Sequence, residues 1–237
     1  MEGVRAFLFD VFGTVVDWRG GVAREAAGFL ARHAAPGADA GAFADAWRRR
    51  YSPAMEEVRS GRRAFTRLDV LHRENLERVL PEFGIDPVAV PAAELDELNL
   101  AWHRLDPWPD SVAGLTRLKQ RFIVAPLSNG NIVLMLDMAK RAGLPWDAIL
   151  GAEVVRAYKP MPEAYLRTVE VLAMQPHEVC LVAAHESDLE AARGCGLRTC
   201  FVARPLEYGV GFVAPEPRGG WDLMVGSIEA LADGVAS

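Results

Sequence analysis

The apolar run Arg5-Ala6-Phe7-Leu8-Phe9 ends in Asp10, and Val11, Phe12, Gly13, Thr14, Val15, Val16 and Asp17 follow. An apolar run bounded by glycine reads as a buried strand of a parallel sheet, and a carboxylate at its C-terminal end sits on the edge where open α/β sheets bind ligands. Three later apolar runs also end in polar groups. Residues 122–127 lead into Ser128-Asn129-Gly130-Asn131, residues 148–150 are followed a few positions on by Lys159-Pro160, and residues 179–184 lead into His185-Glu186-Ser187-Asp188. Parallel strands bring all these ends to one edge, so Asp10, Ser128, Lys159 and Asp188 are expected to converge. A carboxylate kept ionised by a neighbouring cation can act as a nucleophile. Two positions after Asp10, where a second acid could serve as a proton donor, stands Phe12.

Taken singly, each group has an ordinary explanation. Ser128 or Asn131 could cap a helix, Lys159 could be a solvated charge, and Asp188 could stabilise a helix N-terminus. Four such coincidences on one edge are far less expected than a site.

The elements that must position these groups alternate. Strand-like runs at 122–127, 148–150, 179–184 and 199–203 are separated by helical patterns at 111–120, 132–142, 163–173 and 187–193. That alternation predicts a Rossmann-like, doubly wound α/β fold built on a parallel sheet with right-handed crossovers. Gly143, Gly194 and Gly196 fall where helices should stop; Gly194 and Gly196 follow a helix instead of preceding one, so they are not a dinucleotide fingerprint. Residues 18–105 differ: Val22, Ala26, Phe29 and Leu30, then Leu68, Leu71, Leu76, Val79 and Leu80, then Leu95, Leu98 and Trp102 recur at helical spacing with no convincing strand. The predicted organisation is a catalytic core of residues 1–16 and 106–237 with an all-helical domain, 17–105, inserted after the first strand. Pro107-Trp108-Pro109 reads as the return linker. Residues 205–220, rich in glycine and proline, read as a surface loop, and 227–232 as a short final helix.

The chain has 237 residues, of which 51% are hydrophobic, and a formal net charge of −6. That suffices for one large core with an insertion. Arg48-Arg49-Arg50 is the longest basic run, so a nucleic-acid partner is not expected. Cys180, Cys195 and Cys200 match no zinc spacing, and Cys180 and Cys200 lie in apolar runs, which points to reduced core thiols. With no signal peptide and no apolar stretch of membrane-spanning length, the expected location is the cytoplasm.

This constellation resembles the haloacid dehalogenase superfamily of Asp-nucleophile hydrolases. Its motifs stand here in order as Asp10-Val11-Phe12-Gly13-Thr14, Ser128-Asn129, Lys159-Pro160 and Asp188, with the helical block where the family carries a cap domain. Phosphatases of the superfamily carry a second Asp two positions after the nucleophile and hold Mg²⁺ with acids of the first and fourth motifs. Here those positions are Phe12 and Ala184, which can neither protonate a leaving alcohol nor bind a cation. A halide needs no proton to leave. The finer pattern is similar to the L-2-haloacid dehalogenases: Asp10, Phe12, Gly13, Thr14 and Asp17 satisfy their first motif, Trp47-Arg48 matches their cap arginine, and Tyr165 stands six residues after Lys159. Their Ser-x-Asn-x-x-Asp motif becomes Ala183, Ala184, His185, Glu186, Ser187 and Asp188, so a titratable histidine replaces an asparagine.

The resemblance implies metal- and cofactor-free hydrolysis of a short 2-haloalkanoic acid, a small anionic substrate, to the 2-hydroxy acid through an ester on Asp10. Lys159 keeps Asp10 ionised. Ser128, Thr14 and main-chain amides around Val11 hold the substrate carboxylate, Arg48 and Asn129 take the halide, and Asp188 with His185 orients Lys159 or water. Phe12, Trp18 and Tyr51 are expected as dry walls, with Tyr165 nearby. A homodimer is the assembly that the resemblance implies. Two alternatives stay open: a Mg²⁺-dependent phosphatase of the same superfamily, and a binding protein that has kept the fold without activity.

Overall fold

The computed structural model describes residues 1–34, 36–213 and 216–235. Strands β1 (Ala6–Phe9), β4 (Ile123–Ser128), β5 (Leu150–Gly151), β6 (Val179–Ala183), β7 (Arg198–Val202) and β8 (Leu223–Val225) form one sheet in the order β5-β4-β1-β6-β7-β8, and every neighbouring pair is parallel. Helices α6 (Ser111–Leu118), α7 (Ile132–Ala142), α8 (Ala152–Val155), α9 (Pro162–Val171), α10 (Glu186–Gly194) and α11 (Ile228–Gly234) fill the connections and the C-terminus. Such crossovers cover both faces of the sheet, which is why its central strands are apolar without alternation.

Side chains still alternate in direction along β1. Phe7 and Phe9 join one core cluster with Cys180, Val182 and Leu115, while Ala6 and Leu8 join another with Leu181, Leu189 and Tyr165. The chain winds from β1 to β4 and β5 on one side, then returns past β1 to β6, β7 and β8 on the other. Reversal of winding at β1 opens a crevice at the C-terminal ends of β1, β4 and β6, the place where such sheets bind ligands.

A two-stranded antiparallel ribbon, β2 (Val16–Asp17) with β3 (Asp106–Pro107), carries the chain out of the sheet layer and back. Between its strands lie α1 (Trp18–His33), α2 (Ala40–Arg49), α3 (Tyr51–Arg59), α4 (Leu68–Val79) and α5 (Ala92–Asn99), with single turns of 3₁₀ helix at Leu80–Phe83, Pro87–Ala89 and Leu100–His103. Asp17 caps α1 by accepting from the Gly20 amide at 2.8 Å, and Asp39 caps α2 by accepting from the Ala42 amide at 2.8 Å. The apolar faces of these helices meet around Trp18, Phe43, Trp47 and Trp102, all buried and continuous with the core cluster of Phe7 and Phe9.

Polar ties hold this layer over the strand ends. Asn131 donates to Asp69 of α4 at 2.7 Å, and the His103 ring lies between Asp69 and Asp137 of α7, at 3.1 and 2.8 Å. Gly143 ends α7 in the left-handed conformation expected of a C-terminal cap.

Three elements depart from the sequence reading. β5 is displaced to Leu150–Gly151, where Gly151 has φ +127° and passes so close to β4 that a β-carbon would fall 2.2 Å from the Ser128 carbonyl. β8 adds an edge strand within a segment too short and too exposed to read as one from its residues. The 205–220 segment, of which residues 214 and 215 lie outside the described residues, is not only a surface loop: Glu207 within it is 4% exposed. Cys180, Cys195 and Cys200 are all free, and no described helix is long and apolar enough to cross a membrane.

Candidate active site

Asp10 continues β1 by one residue, its amide donating to the Val182 carbonyl at 3.0 Å. Its carboxylate is nearly enclosed and each oxygen is engaged. Oδ1 accepts from Lys159 Nζ at 2.9 Å; Oδ2 accepts from Thr14 Oγ1 at 2.8 Å and faces His185 Nδ1 at 3.0 Å. Lys159 Nζ also donates to Asp188 Oδ2, and Asp188 Oδ1 accepts from the Tyr165 hydroxyl at 2.6 Å.

The strand ends set this geometry. Asn129, just past β4, accepts the Lys159 amide at 2.8 Å and thereby fixes the chain that presents the ammonium. Thr14 Oγ1 accepts the Ala184 amide at 2.9 Å, linking the ends of β1 and β6. Ser128 Oγ accepts the Gly130 amide at 3.0 Å.

Buried charges persist only when paired, and here two cations are interleaved with carboxylates. Burial alone would raise the Asp10 pKa, but the Lys159 charge and the His185 hydrogen bond outweigh it and hold the carboxyl well below its usual range. Lys159 shows the converse: burial disfavours its charge, yet Asp10 and Asp188 push its pKa up. Asp188 is raised by burial and by the nearby Asp10 charge, against the pull of Lys159. Burial and the Asp188 carboxylate raise the Tyr165 hydroxyl, which stays a donor. At His185, burial opposes protonation, but hydrogen bonds to Asp10 and Glu207 prevail and push the pKa up to about 10.

Glu207 joins this cluster although the sequence reading did not single it out. Its carboxylate meets His185 Nε2 at 2.9 and 3.1 Å and accepts from Trp18 Nε1 at 3.0 Å. Arg204 anchors the same loop, donating to the Thr14 carbonyl at 2.7 Å and pairing in bidentate fashion with Asp110 at 2.9 Å. No local pattern marks Glu207, since Leu206 and Tyr208 beside it are exposed. The available signal was His185 itself, a titratable group at a strand end that calls for a counter-charge.

A cavity of about 200 Å³ opens above Asp10. Of the residues singled out from sequence, Asp10, Arg48, Tyr51, Asn129, Lys159, Tyr165, His185 and Asp188 line it; Ser52, Met55 and Arg59 complete much of the rest. Arg48 lies with its guanidinium carbon 4.0 Å from the Tyr51 ring centre, and its buried Nη1 has no hydrogen-bond partner among the described residues. An unpartnered, desolvated guanidinium N–H is a ready donor for an anion.

Val11, Phe12, Thr14, Ser128 and Trp18 do not line the cavity. The Thr14 hydroxyl is engaged by Asp10 and Ala184. Trp18 is buried and donates to Glu207. Val11 is buried with its carbonyl accepting the Val15 and Val16 amides, and Phe12 packs edge-on to Trp102, with the Arg48 guanidinium carbon 5.9 Å from its ring centre.

Comparison with known proteins bears on this arrangement. Residues 4–196 match the model of the haloacid dehalogenase-like hydrolase family. The (S)-2-haloacid dehalogenase 1 of Pseudomonas sp. (strain CBS-3) is 32% identical over 220 residues, covering 88% of this chain and 89% of its own. A crystal structure of a defluorinating L-2-haloacid dehalogenase superposes with a TM-score of 0.95 at 55% identity, over 99% of this chain and 96% of that one. The L-2-haloacid dehalogenase of Xanthobacter autotrophicus with chloropropionic acid covalently bound gives 0.79 at 25% identity, over 97% of each chain. Together with the Asp10–Lys159–Asp188 geometry, these matches assign the chain to the haloacid dehalogenase-like hydrolases.

Proposed function

We propose that this protein hydrolyses a short 2-haloalkanoic acid to the 2-hydroxy acid and halide, through an ester on Asp10. The observation that carries the reading is a buried, ionised Asp10 held by Lys159 and His185, with Phe12 and Ala184 where a phosphatase needs carboxylates. In the first step an Asp10 oxygen attacks the carbon bearing the halogen. The carbon–halogen bond breaks, the halide takes the electron pair, and configuration inverts. Arg48 is positioned to stabilise the departing halide from the helical layer, with Asn129 beside the cavity. Water then attacks the Asp10 carbonyl carbon, and Lys159 stabilises the oxyanion. Because the second step leaves the substrate carbon untouched, inversion is retained in the product.

The relatives named as 2-haloacid dehalogenases, one of them defluorinating, support this substrate class. The helical layer at 17–105 serves as the cap that closes the cavity over a small acid, and the ribbon of β2 and β3 is its stalk. Buried, reduced Cys180 and Cys200 suit a cytoplasmic protein. A homodimer is the assembly that the resemblance supports.

The deciding experiment is a halide-release screen on 2-haloacids with and without Mg²⁺, run beside phosphate release from small monoesters. Metal-independent halide release is expected. Mg²⁺-dependent phosphate release without halide release would replace this reading with the phosphatase one.

A further inference from the structure

We propose that His185, backed by Glu207, is the base that activates water for hydrolysis of the Asp10 ester. This assignment rests on the dehalogenase reading above and concerns its second step.

The geometry is that of a carboxylate-supported imidazole. His185 Nδ1 lies 3.0 Å from Asp10 Oδ2, so it borders the carbon that water must attack. Nε2 meets both Glu207 oxygens, which keeps the remaining proton on that nitrogen and leaves Nδ1 as the acceptor once its own proton has gone. Glu207 is itself held by Trp18, and its loop by Arg204. Asp188, the other carboxylate at hand, has one oxygen on Lys159 and the other on Tyr165, and no hydrogen bond with Asp10 is found among the described residues.

The charges make the role conditional on the ester. While Asp10 is ionised, the imidazolium is its partner. Esterification removes the Asp10 charge and with it one of the two carboxylates that favour protonated His185; Lys159 keeps Asp188, and His185 keeps only Glu207. Burial then works against the imidazolium. The groups around His185 are Asp10, Lys159 and Asp188 across the active-site cavity, Arg48 and Arg59 from the helical layer, Glu186 beside it on α10, and Arg204, Glu207 and Tyr208 from the loop after β7. That loop side forms a second cavity, about 350 Å³, which His185 and Glu207 also line.

Nδ1 gives its proton to solvent. It then takes a proton from water as the water oxygen bonds to the Asp10 carbonyl carbon. Collapse breaks the bond to the alkyl oxygen, which takes the proton from Nδ1 and leaves as the 2-hydroxy acid. Asp10, now a carboxylic acid, passes its proton to Nδ1, which restores the starting ion pair.

The test is a quenched single turnover with L-2-chloropropionate, following halide release and the ester on intact protein by mass. His185→Asn and Glu207→Gln are expected to form the ester and then hydrolyse it slowly, on the order of a hundredfold for His185→Asn and less for Glu207→Gln. In the wild type, ester hydrolysis should speed up as pH rises through the His185 titration. The profile should be flat in His185→Asn and shifted to lower pH in Glu207→Gln. Wild-type ester hydrolysis that is independent of pH overturns the assignment without recourse to any variant, as do two folded variants that match the wild type. Absence of both ester and halide in the wild type would instead sink the dehalogenase reading.

Discussion

Gly13 and Glu207 are in contact although 194 positions separate them in the chain: a β-carbon at position 13 would fall 2.1 Å from Glu207 Oε1. The first motif thus leaves room for the acid that supports His185. Gly13 also has φ +87°, a conformation that L side chains rarely adopt. Gly13→Ala should therefore cost roughly 1–2 kcal/mol in backbone strain, with a further loss as Glu207 is displaced. Urea unfolding measures the first and the pH profile of turnover the second. Unchanged stability with unchanged turnover would show that the contact is dispensable.

The proposed reaction assigns the covalent step to Asp10. Asp10→Ala should abolish halide release while the far-ultraviolet circular dichroism stays that of the wild type. In a single turnover in ¹⁸O-water, label should enter Asp10 and be found by peptide mass spectrometry. Label appearing first in the hydroxy acid would mean direct attack of water on the substrate.

Arg48 lines the cavity and carries a buried N–H that has no partner among the described residues. Arg48→Met keeps much of the apolar stem and removes the donor. Halide release should fall on the order of a hundredfold, the usual cost of losing one donor to a developing anion. The loss should be greater for fluoroacetate than for chloroacetate, because fluoride concentrates its charge. Equal losses for the two halides would place Arg48 on the substrate carboxylate instead.

Stability should follow the same charges. The His185 pKa is raised from the ordinary 6.5 to about 10 in the fold, so its contribution is complete below 6.5 and is lost as pH rises through about 10. Asp10 has the opposite sign: its pKa is depressed, so its contribution is present above the ordinary carboxylate value and is lost only as pH falls below it. Unfolding free energy measured by urea from neutral to alkaline pH should decline in the wild type and decline less in His185→Asn. Parallel curves would show that the imidazolium is not paired as the geometry has it.

Much of the site was legible because parallel strands put their ends on one edge. Apolar runs ending in Asp10, Ser128 and Asp188 are local patterns, and the winding rules of α/β sheets turn them into neighbours without further information. Lys159 was readable for the same reason, since it follows the strand that ends at Gly151. Phe12 and Ala184 were equally legible, as absences of carboxylate at positions where chemistry would need one. The helical layer could be recognised from its period, although the sequence does not say which of its side chains turn inward.

What the tertiary structure alone decided is which polar groups are engaged and by what. Thr14 and Trp18 are residue types that suit a substrate contact, yet packing assigns their hydrogen bonds to Asp10 and to Glu207. Glu207 lies in a segment whose glycines and prolines read as solvent-exposed loop, and the Arg204 anchor together with Trp18 and His185 holds it inward against Gly13. Local pattern carries the strand ends because backbone periodicity is a short-range property. Pairing of His185 with Glu207 is a long-range one, set by where a loop happens to be tied down, and no spacing along the chain encodes it.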